Sequence, residues 1–219
     1  MPRATAFILA AGLGTRLRPL TDVTPKPLLP IRGRPILDHV LDHARAHGHE
    51  HVVVNAHWLA PQIVAWASGR PGVTVVVEAP VILGTGGGLK NAAHLLADRF
   101  VVLNGDILCD VDLTALMELP APAVMAVRRR EGRHTAVAVE DGRVTGIAGV
   151  VGNDGGAWHF TGIHVMNRAE LDRVPPGEAC IVRTVYKALV PDGKVGAVIH
   201  RGVWADVGTH EEYQRLQAG

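Results

Sequence analysis

The chain has 219 residues, 47% of them hydrophobic, and a formal net charge of +1, which suits one domain with a sizeable core and excludes a nucleic-acid surface built on bulk positive charge. Its two cysteines, Cys109 and Cys180, form no C-x-x-C pair, so no disulfide framework is expected and a reducing cytosol fits. No secretory leader pattern is present, and no apolar run approaches the roughly 20 residues that span a bilayer, so a soluble, cytoplasmic protein is expected.

The first predicted element is an apolar strand over residues 7–11. It ends at Gly12 and Gly14, where backbone N–H groups can approach phosphate oxygens closely. Arg16 follows with a planar fork for two oxygens, and Lys26 adds a mobile point charge. A dinucleotide fingerprint is excluded because Leu17 occupies the third-glycine position and Pro19, Pro25, Pro27 and Pro30 follow. The G-x-x-x-x-G-K-[ST] phosphate loop is excluded too, since no glycine precedes Lys26 and a proline follows it.

Helices are then predicted over 36–47 and 61–68 and strands over 52–55 and 73–77, an alternation that implies parallel pairing. The stretch Leu83-Gly84-Thr85-Gly86-Gly87-Gly88-Leu89 reads as a glycine-rich loop opening a helix over 89–97, with a backbone on which a base or sugar can lie. Glu78, just before it, is a candidate to read a base edge. A strand over 100–103 leads into Asn104-Gly105-Asp106, an acid at a strand's carboxyl end, where open α/β sheets bind ligands; a short helix follows over 113–119.

Beyond Val124 the pattern turns β-rich, with strands over 124–128, 136–140 and 144–148 and an Asp141-Gly142 hairpin turn. A strand over 159–166, a helix over 179–189 and a strand over 195–200 precede Val203-Trp204-Ala205-Asp206-Val207-Gly208, a second acid in a strand-to-turn setting. Asp106 and Asp206 can share one Mg2+, which favours carboxylate, phosphate and water oxygens. Thr209 and Glu212 have capping-box spacing for a last helix. His39, His43 and His47 read as a solvated helix face, and Trp58 and Trp66 as packing. Trp204 is expected to support the loop carrying Asp206.

Gly12-x-Gly14-Thr15-Arg16 followed by Pro25-Lys26-Pro27-Leu28 resembles the signature of the sugar-1-phosphate nucleotidyltransferases, which join a nucleoside triphosphate to a sugar 1-phosphate and release pyrophosphate. The resemblance implies an α/β fold with a Rossmann-like, doubly wound, mixed and mostly parallel sheet of GT-A type. It implies one domain, 1–219, with the nucleotide on 1–123 and the sugar phosphate on a β-rich acceptor side, 124–219. By resemblance, Ala10, Ala11, Gly12, Gly14, Thr15, Arg16, Gly84, Thr85 and Gly86 bind nucleotide, Arg16 and Lys26 act in catalysis, and Asp106 and Asp206 hold Mg2+. Asn104, Thr161 and Gly162 contact the acceptor.

The Glu-Lys-Pro motif by which many hexose-phosphate relatives hold the sugar phosphate is absent. Arg128, Arg129, Arg130, Arg133 and Arg183 are the alternative cations. That absence, the short length and the glycine stretch resemble the compact N-acetylmuramate-1-phosphate uridylyltransferases of cell-wall recycling. The same stretch is similar to loops of mannose- and heptose-1-phosphate guanylyltransferases. UTP with N-acetylmuramate 1-phosphate is the expected pair, on a monomer or homodimer without nucleic-acid or membrane partners. A GTP-dependent mannose or heptose enzyme and a catalytically silent nucleotide-sugar sensor are the alternatives.

Overall fold

Short β-branched runs alternating with amphipathic segments build one nine-stranded sheet. The computed structural model describes residues 3–132, 134–152 and 154–218, so Arg133 lies outside the described residues. The first half contains β1 (Ala4–Leu9), α1 (Leu20–Val23), β2 (Pro30–Ile31), β3 (Arg34–Pro35), α2 (Ile36–Ala46), β4 (Val52–Ala56), α3 (Ala60–Ala67), β5 (Val73–Val77), α4 (Gly84–Asn91), β6 (Leu96–Asn104), β7 (Ile107–Cys109) and α5 (Leu113–Glu118). The second half contains β8 (Ala123–Arg129), β9 (Ala136–Glu140), β10 (Arg143–Ile147), β11 (Trp158–Asn167), α6 (Lys187–Leu189), β12 (Val195–Ile199), β13 (Trp204–Asp206) and α7 (His210–Ala218).

The sheet order is β5-β4-β1-β6-β11-β8-β12-β10-β9. β5, β4, β1 and β6 are parallel neighbours, β11 runs antiparallel between β6 and β8, and β12 returns parallel to β8. β10 is antiparallel to both β12 and β9. Strands β5, β4, β1, β6, β8, β12 and β9 therefore point one way and β11 and β10 the other, so the sheet is mixed, as expected, with parallel pairing over β5-β4-β1-β6 and at β8–β12 and antiparallel pairing elsewhere.

Period-two alternation sorts the central strands onto two cores. Phe7, Val53 and Val102 are in register and pack with Leu89, Leu96, Tyr186 and Leu189 on one face. Ile8, Val54 and Leu103, one position on, pack with Leu37, Val40, Leu41, Ile63 and Leu113 on the other. Helices thus cover both faces, and β4 is buried at every position, as a strand inside a parallel sheet must be. The β9–β10 turn has positive φ at both Asp141 (46°) and Gly142 (72°), the conformation a two-residue hairpin needs. No helix among the described residues is long and apolar enough to cross a membrane.

Most boundaries lie within one residue of the sequence expectation, and the larger differences have physical causes. β1 ends at Leu9, leaving Ala10 and Ala11 in the following loop. The helix expected over 89–97 is α4, which starts at Gly84, and β6 already begins at Leu96. Glycine's poor helix propensity hides a helix whose first turn is held from outside, the Ala179 carbonyl accepting from Gly86 N at 2.8 Å and Gly87 N at 3.2 Å. Because Ala179 is engaged there, the next helical segment starts later than 179, with a π-helical turn over Val182–Tyr186 leading into α6. At α7, Thr209 Oγ1 accepts from Glu212 N at 3.2 Å, but the Glu212 carboxylate pairs with Arg215, so half of the capping box forms.

The glycines of α4 permit close packing. A Cβ on Gly87 would lie 2.2 Å from the Gly177 carbonyl oxygen and 3.1 Å from Leu83 Cβ. Gly87→Ala should therefore lower stability by about 1–3 kcal/mol, the usual cost of overpacking, read as an earlier urea midpoint. An unchanged midpoint would mean that the helix does not depend on this contact.

Candidate functional site

The site lies where β1, β4 and β6 end together, at the carboxyl edge of the parallel half of the sheet. Gly105 ties two of these ends, its N–H donating to Leu9 O at 2.8 Å, and a Cβ there would be 2.8 Å from the same oxygen. In the loop after β1, Gly12 faces open space, with nothing within 4 Å of a Cβ. Gly14 has φ 65° and would bring a Cβ to 2.9 Å from Thr21 Cγ2, while the Thr21 hydroxyl donates to its carbonyl at 2.8 Å. Thr15 and Arg16 follow in a 3-10 turn, and Lys26 opens a second.

Two short strands bring the acids together: β13, in the strand-to-turn setting expected for Asp206, and β7, which sequence reading missed. β7 and β13 pair antiparallel, with Asp206 opposite Ile107, and Val207 N–H donates to the Asp106 carbonyl at 3.0 Å. Lys26 Nζ lies 2.6 Å from Asp106 Oδ2 and 3.9 Å from Asp206 Oδ1. Gly208 leaves room for the neighbouring cation: a Cβ there would be 3.1 Å from both Arg16 Nη1 and Asp206 Oδ1. Burial first, and then the like charge of Asp106, push the Asp206 carboxyl above its usual pKa, against the opposing pull of Lys26 and Arg16. Asp206 Oδ1 is buried and has no hydrogen-bond partner among the described residues. Two carboxylates with an uncommitted oxygen fit a hard divalent cation whose remaining ligands are phosphate oxygens and water.

Ala11, Gly12, Gly84, Thr85, Asn104 and Asp106 line one cavity of about 200 Å3, with Leu9, Asn55 and Ile82. Four other expected contacts are redirected. Ala10 N–H is already bonded to Asn55 Oδ1 at 2.7 Å. Gly86 is buried against the Ile181 backbone, 3.0 Å from a Cβ, with its N–H bonded to Ala179. Thr161 is 1% exposed, and its hydroxyl donates to Ala126 O at 2.9 Å. Gly162, with φ 84°, is the surface on which Asn104 lies, since a Cβ would be 2.5 Å from Asn104 Nδ2. Trp204 Nε1 donates to Thr161 O at 2.9 Å, tying β13, which carries Asp206, to β11.

The sequence also hid a buried polar clamp behind the cavity. Glu78, proposed above as a base reader, is 2% exposed; its Oε1 accepts from Asn55 Nδ2 and its Oε2 from Leu83 N, each at 2.7 Å. The signal was Asn55 itself, a polar residue ending the apolar run Val52-Val53-Val54. The histidine stripe is likewise no solvated face. His39, His43 and His47 are half-buried, and burial followed by His47 pushes His43 down to about 4.

In the second half of the chain, Met125, Val137, Ile147, Val150, Phe160 and Val182 form the apolar wall of a cavity of about 360 Å3 that also meets His134, His159, Cys180 and Arg183. Of the cation candidates, Arg128 lies over the Trp204 ring at 5.3 Å and Arg130 Nε donates to His134 O at 2.9 Å. Arg183 lines this cavity.

Residues 6–191 match the model of the MobA-like NTP transferase domain. The mannose-1-phosphate guanylyltransferase of Mycobacterium tuberculosis is 34% identical over 97% of this chain, which spans 63% of that protein. The N-acetylmuramate alpha-1-phosphate uridylyltransferase of Neisseria meningitidis is 31% identical over 97% of this chain and 96% of its own. The crystal structure of HddC from Yersinia pseudotuberculosis superposes with a TM-score of 0.82 at 24% identity, over 98% of each chain, a likeness of fold.

Glu78→Gln tests the clamp. A glutamine offers one acceptor oxygen where two donors arrive, so stability should fall by about 1–3 kcal/mol while nucleobase preference stays the same. A switch of base preference without loss of stability in a denaturant titration would restore Glu78 as a base reader.

Proposed function

The chain belongs to the MobA-like NTP transferase domain family, and from that membership we propose that it transfers a nucleotidyl group from a nucleoside triphosphate to a sugar 1-phosphate. The observation that carries this reading is the convergence of Lys26 Nζ on Asp106 and Asp206, at 2.6 and 3.9 Å, beside a glycine loop bearing Arg16. Such a cluster handles polyanions and needs no side-chain nucleophile.

In the proposed reaction an oxygen of the acceptor phosphate attacks the α-phosphorus in line, a new P–O bond forms, and the bond to the β-phosphate oxygen breaks as pyrophosphate leaves. The acceptor is already an anion at neutral pH, so no general base is required. Catalysis then consists of alignment and charge neutralisation. Gly12, Gly14 and Thr15 let the triphosphate approach the backbone, and Arg16 holds the departing phosphates. Lys26 faces the phosphoryl group being transferred. Ala11, Gly84 and Thr85 wall the nucleoside, with Ala10 and Gly86 shaping that wall from behind. Asn104, oriented by Gly162, faces the acceptor, and Thr161 supports that strand. Asp106 and Asp206 would hold Mg2+, which when bound supplies charge neutralisation at the phosphates.

UTP with N-acetylmuramate 1-phosphate is the proposed pair. Supporting it, the uridylyltransferase relative is matched over nearly its whole length, and the apolar wall on the acceptor side suits a sugar bearing acyl and ether carbons. GTP with mannose 1-phosphate is the second reading, favoured by the 34% identity to the guanylyltransferase. The proposed location is the cytosol.

Pyrophosphate release with a panel of triphosphates and sugar 1-phosphates tests the reading. Asp106→Ala and Asp206→Ala should each lower kcat by about 100-fold or more, with a smaller change in nucleotide KM. Normal turnover by both variants with magnesium would remove the metal assignment, and no turnover by the native protein with any pair would leave the sensor.

A further inference from the structure

One buried side chain on the acceptor side has no part in the reaction as written. His159, in β11, is 1% exposed, and neither ring nitrogen has a hydrogen-bond partner among the described residues. The Arg129 backbone is near enough to favour its protonated form weakly, without reaching hydrogen-bond geometry. Other buried histidines in this chain are satisfied: His164 Nδ1 meets the Tyr186 hydroxyl at 2.6 Å, and His49 Nδ1 meets the Thr5 hydroxyl at 3.0 Å. A buried polar group left unpaired is costly and calls for a reason.

The surroundings supply one. His134, an exposed residue, stacks on His159 with ring centroids 4.3 Å apart and planes 13° from parallel. The edge of Trp204 closes another side at 5.1 Å. Both histidines line the apolar-walled cavity of about 360 Å3, and His134 is near enough to Asp206 for its charge to act on that carboxyl. Burial, then His134 and Arg128, hold His159 down at about 4. Near neutrality its ring is therefore uncharged, with one nitrogen donating and the other accepting. That pairing matches a neutral group able to do both, such as a hydroxyl or an amide, while Arg183 in the same cavity is the charge available to an anion.

We propose that His159 is a specificity-determining residue for the acceptor, its ring nitrogens reading a hydroxyl or amide of the sugar once the stacked His134 ring is displaced. This rests on the nucleotidyl-transfer reading above.

The test is His159→Phe, which keeps an aromatic ring of similar shape and removes both nitrogens, with His159→Gln returning a donor and an acceptor. In steady-state pyrophosphate release, His159→Phe should raise the acceptor KM by about 10-fold or more and leave the nucleotide KM within about 2-fold. Discrimination between two sugar 1-phosphates differing in one hydroxyl or amide should shrink, and His159→Gln should recover part of the loss. Equal acceptor KM and equal discrimination in the native and Phe forms would overturn the proposal while leaving the transferase reading intact. Should the native protein turn over no pair, that reading falls, and calorimetric titration of sugar 1-phosphates still decides the residue's role: equal affinity with and without the imidazole overturns it. Where the Phe form does not fold, the same comparison is made with His159→Leu, which also lacks a donor and an acceptor, and an unchanged acceptor KM there overturns it too.

Discussion

A lysine that is only 8% exposed must have its charge answered by anions, because an uncompensated ammonium out of water costs several kcal/mol. Lys26 is answered from two directions, by Asp106 after β6 and by Asp206 at the end of β13. These residues are 80 and 180 positions away along the chain, and they meet only because β7 pairs with β13 in one register. A one-residue slip would turn the side chains of either strand to the opposite face. Three glycines protect the arrangement: Gly14 clears Thr21 and the Lys26 stem, Gly105 allows β6 to close on β1, and Gly208 leaves space for Arg16 beside Asp206.

Glycine serves two opposite purposes here. Gly12 leaves open space in front of the cavity, whereas Gly86, Gly87 and Gly88 remove it, letting α4 press on the backbone near Ile181, the carbonyl of Gly177 and the Asn55–Glu78 pair respectively. The clamp Ala10–Asn55–Glu78–Leu83 then connects the end of β1 to the start of α4 through three hydrogen bonds. Buried and fully bonded, such a network fixes geometry as well as adding stability. The walls of the proposed nucleotide cavity are thereby held before a ligand arrives, which reduces the ordering cost of binding.

Much of this was legible in the sequence because it is local. Alternating apolar runs located the main strands, with β5 and β9 placed at their observed limits; Pro35 marked the start of α2, and Asp141-Gly142 its hairpin. The glycine loop with Arg16 and Lys26, and both aspartates, were identifiable as types in sequence. What was not legible depends on distant partners. The pairing of β7 with β13, three residues each, is one case, since strands so short carry no periodicity of their own. α4 has five consecutive non-apolar starting positions from Gly84 to Gly88 and is stabilised by Ala179, some 90 residues on. Thr161 looked available in sequence, yet its hydroxyl is taken by the neighbouring strand, and Glu78 looked like a reader because nothing local announced that Asn55 and Leu83 would take both its oxygens.

The proposed cation site is shared by Asp106, Asp206 and the phosphates of the nucleotide, beside Lys26. Its most direct test is the affinity of a non-hydrolysable nucleoside triphosphate, measured by calorimetry with and without magnesium, in the native protein and in Asp206→Asn. Magnesium should tighten binding to the native protein by about 10-fold or more, and that gain should vanish in the variant while metal-free affinity is kept. Equal magnesium-dependent tightening in both proteins would contradict the account.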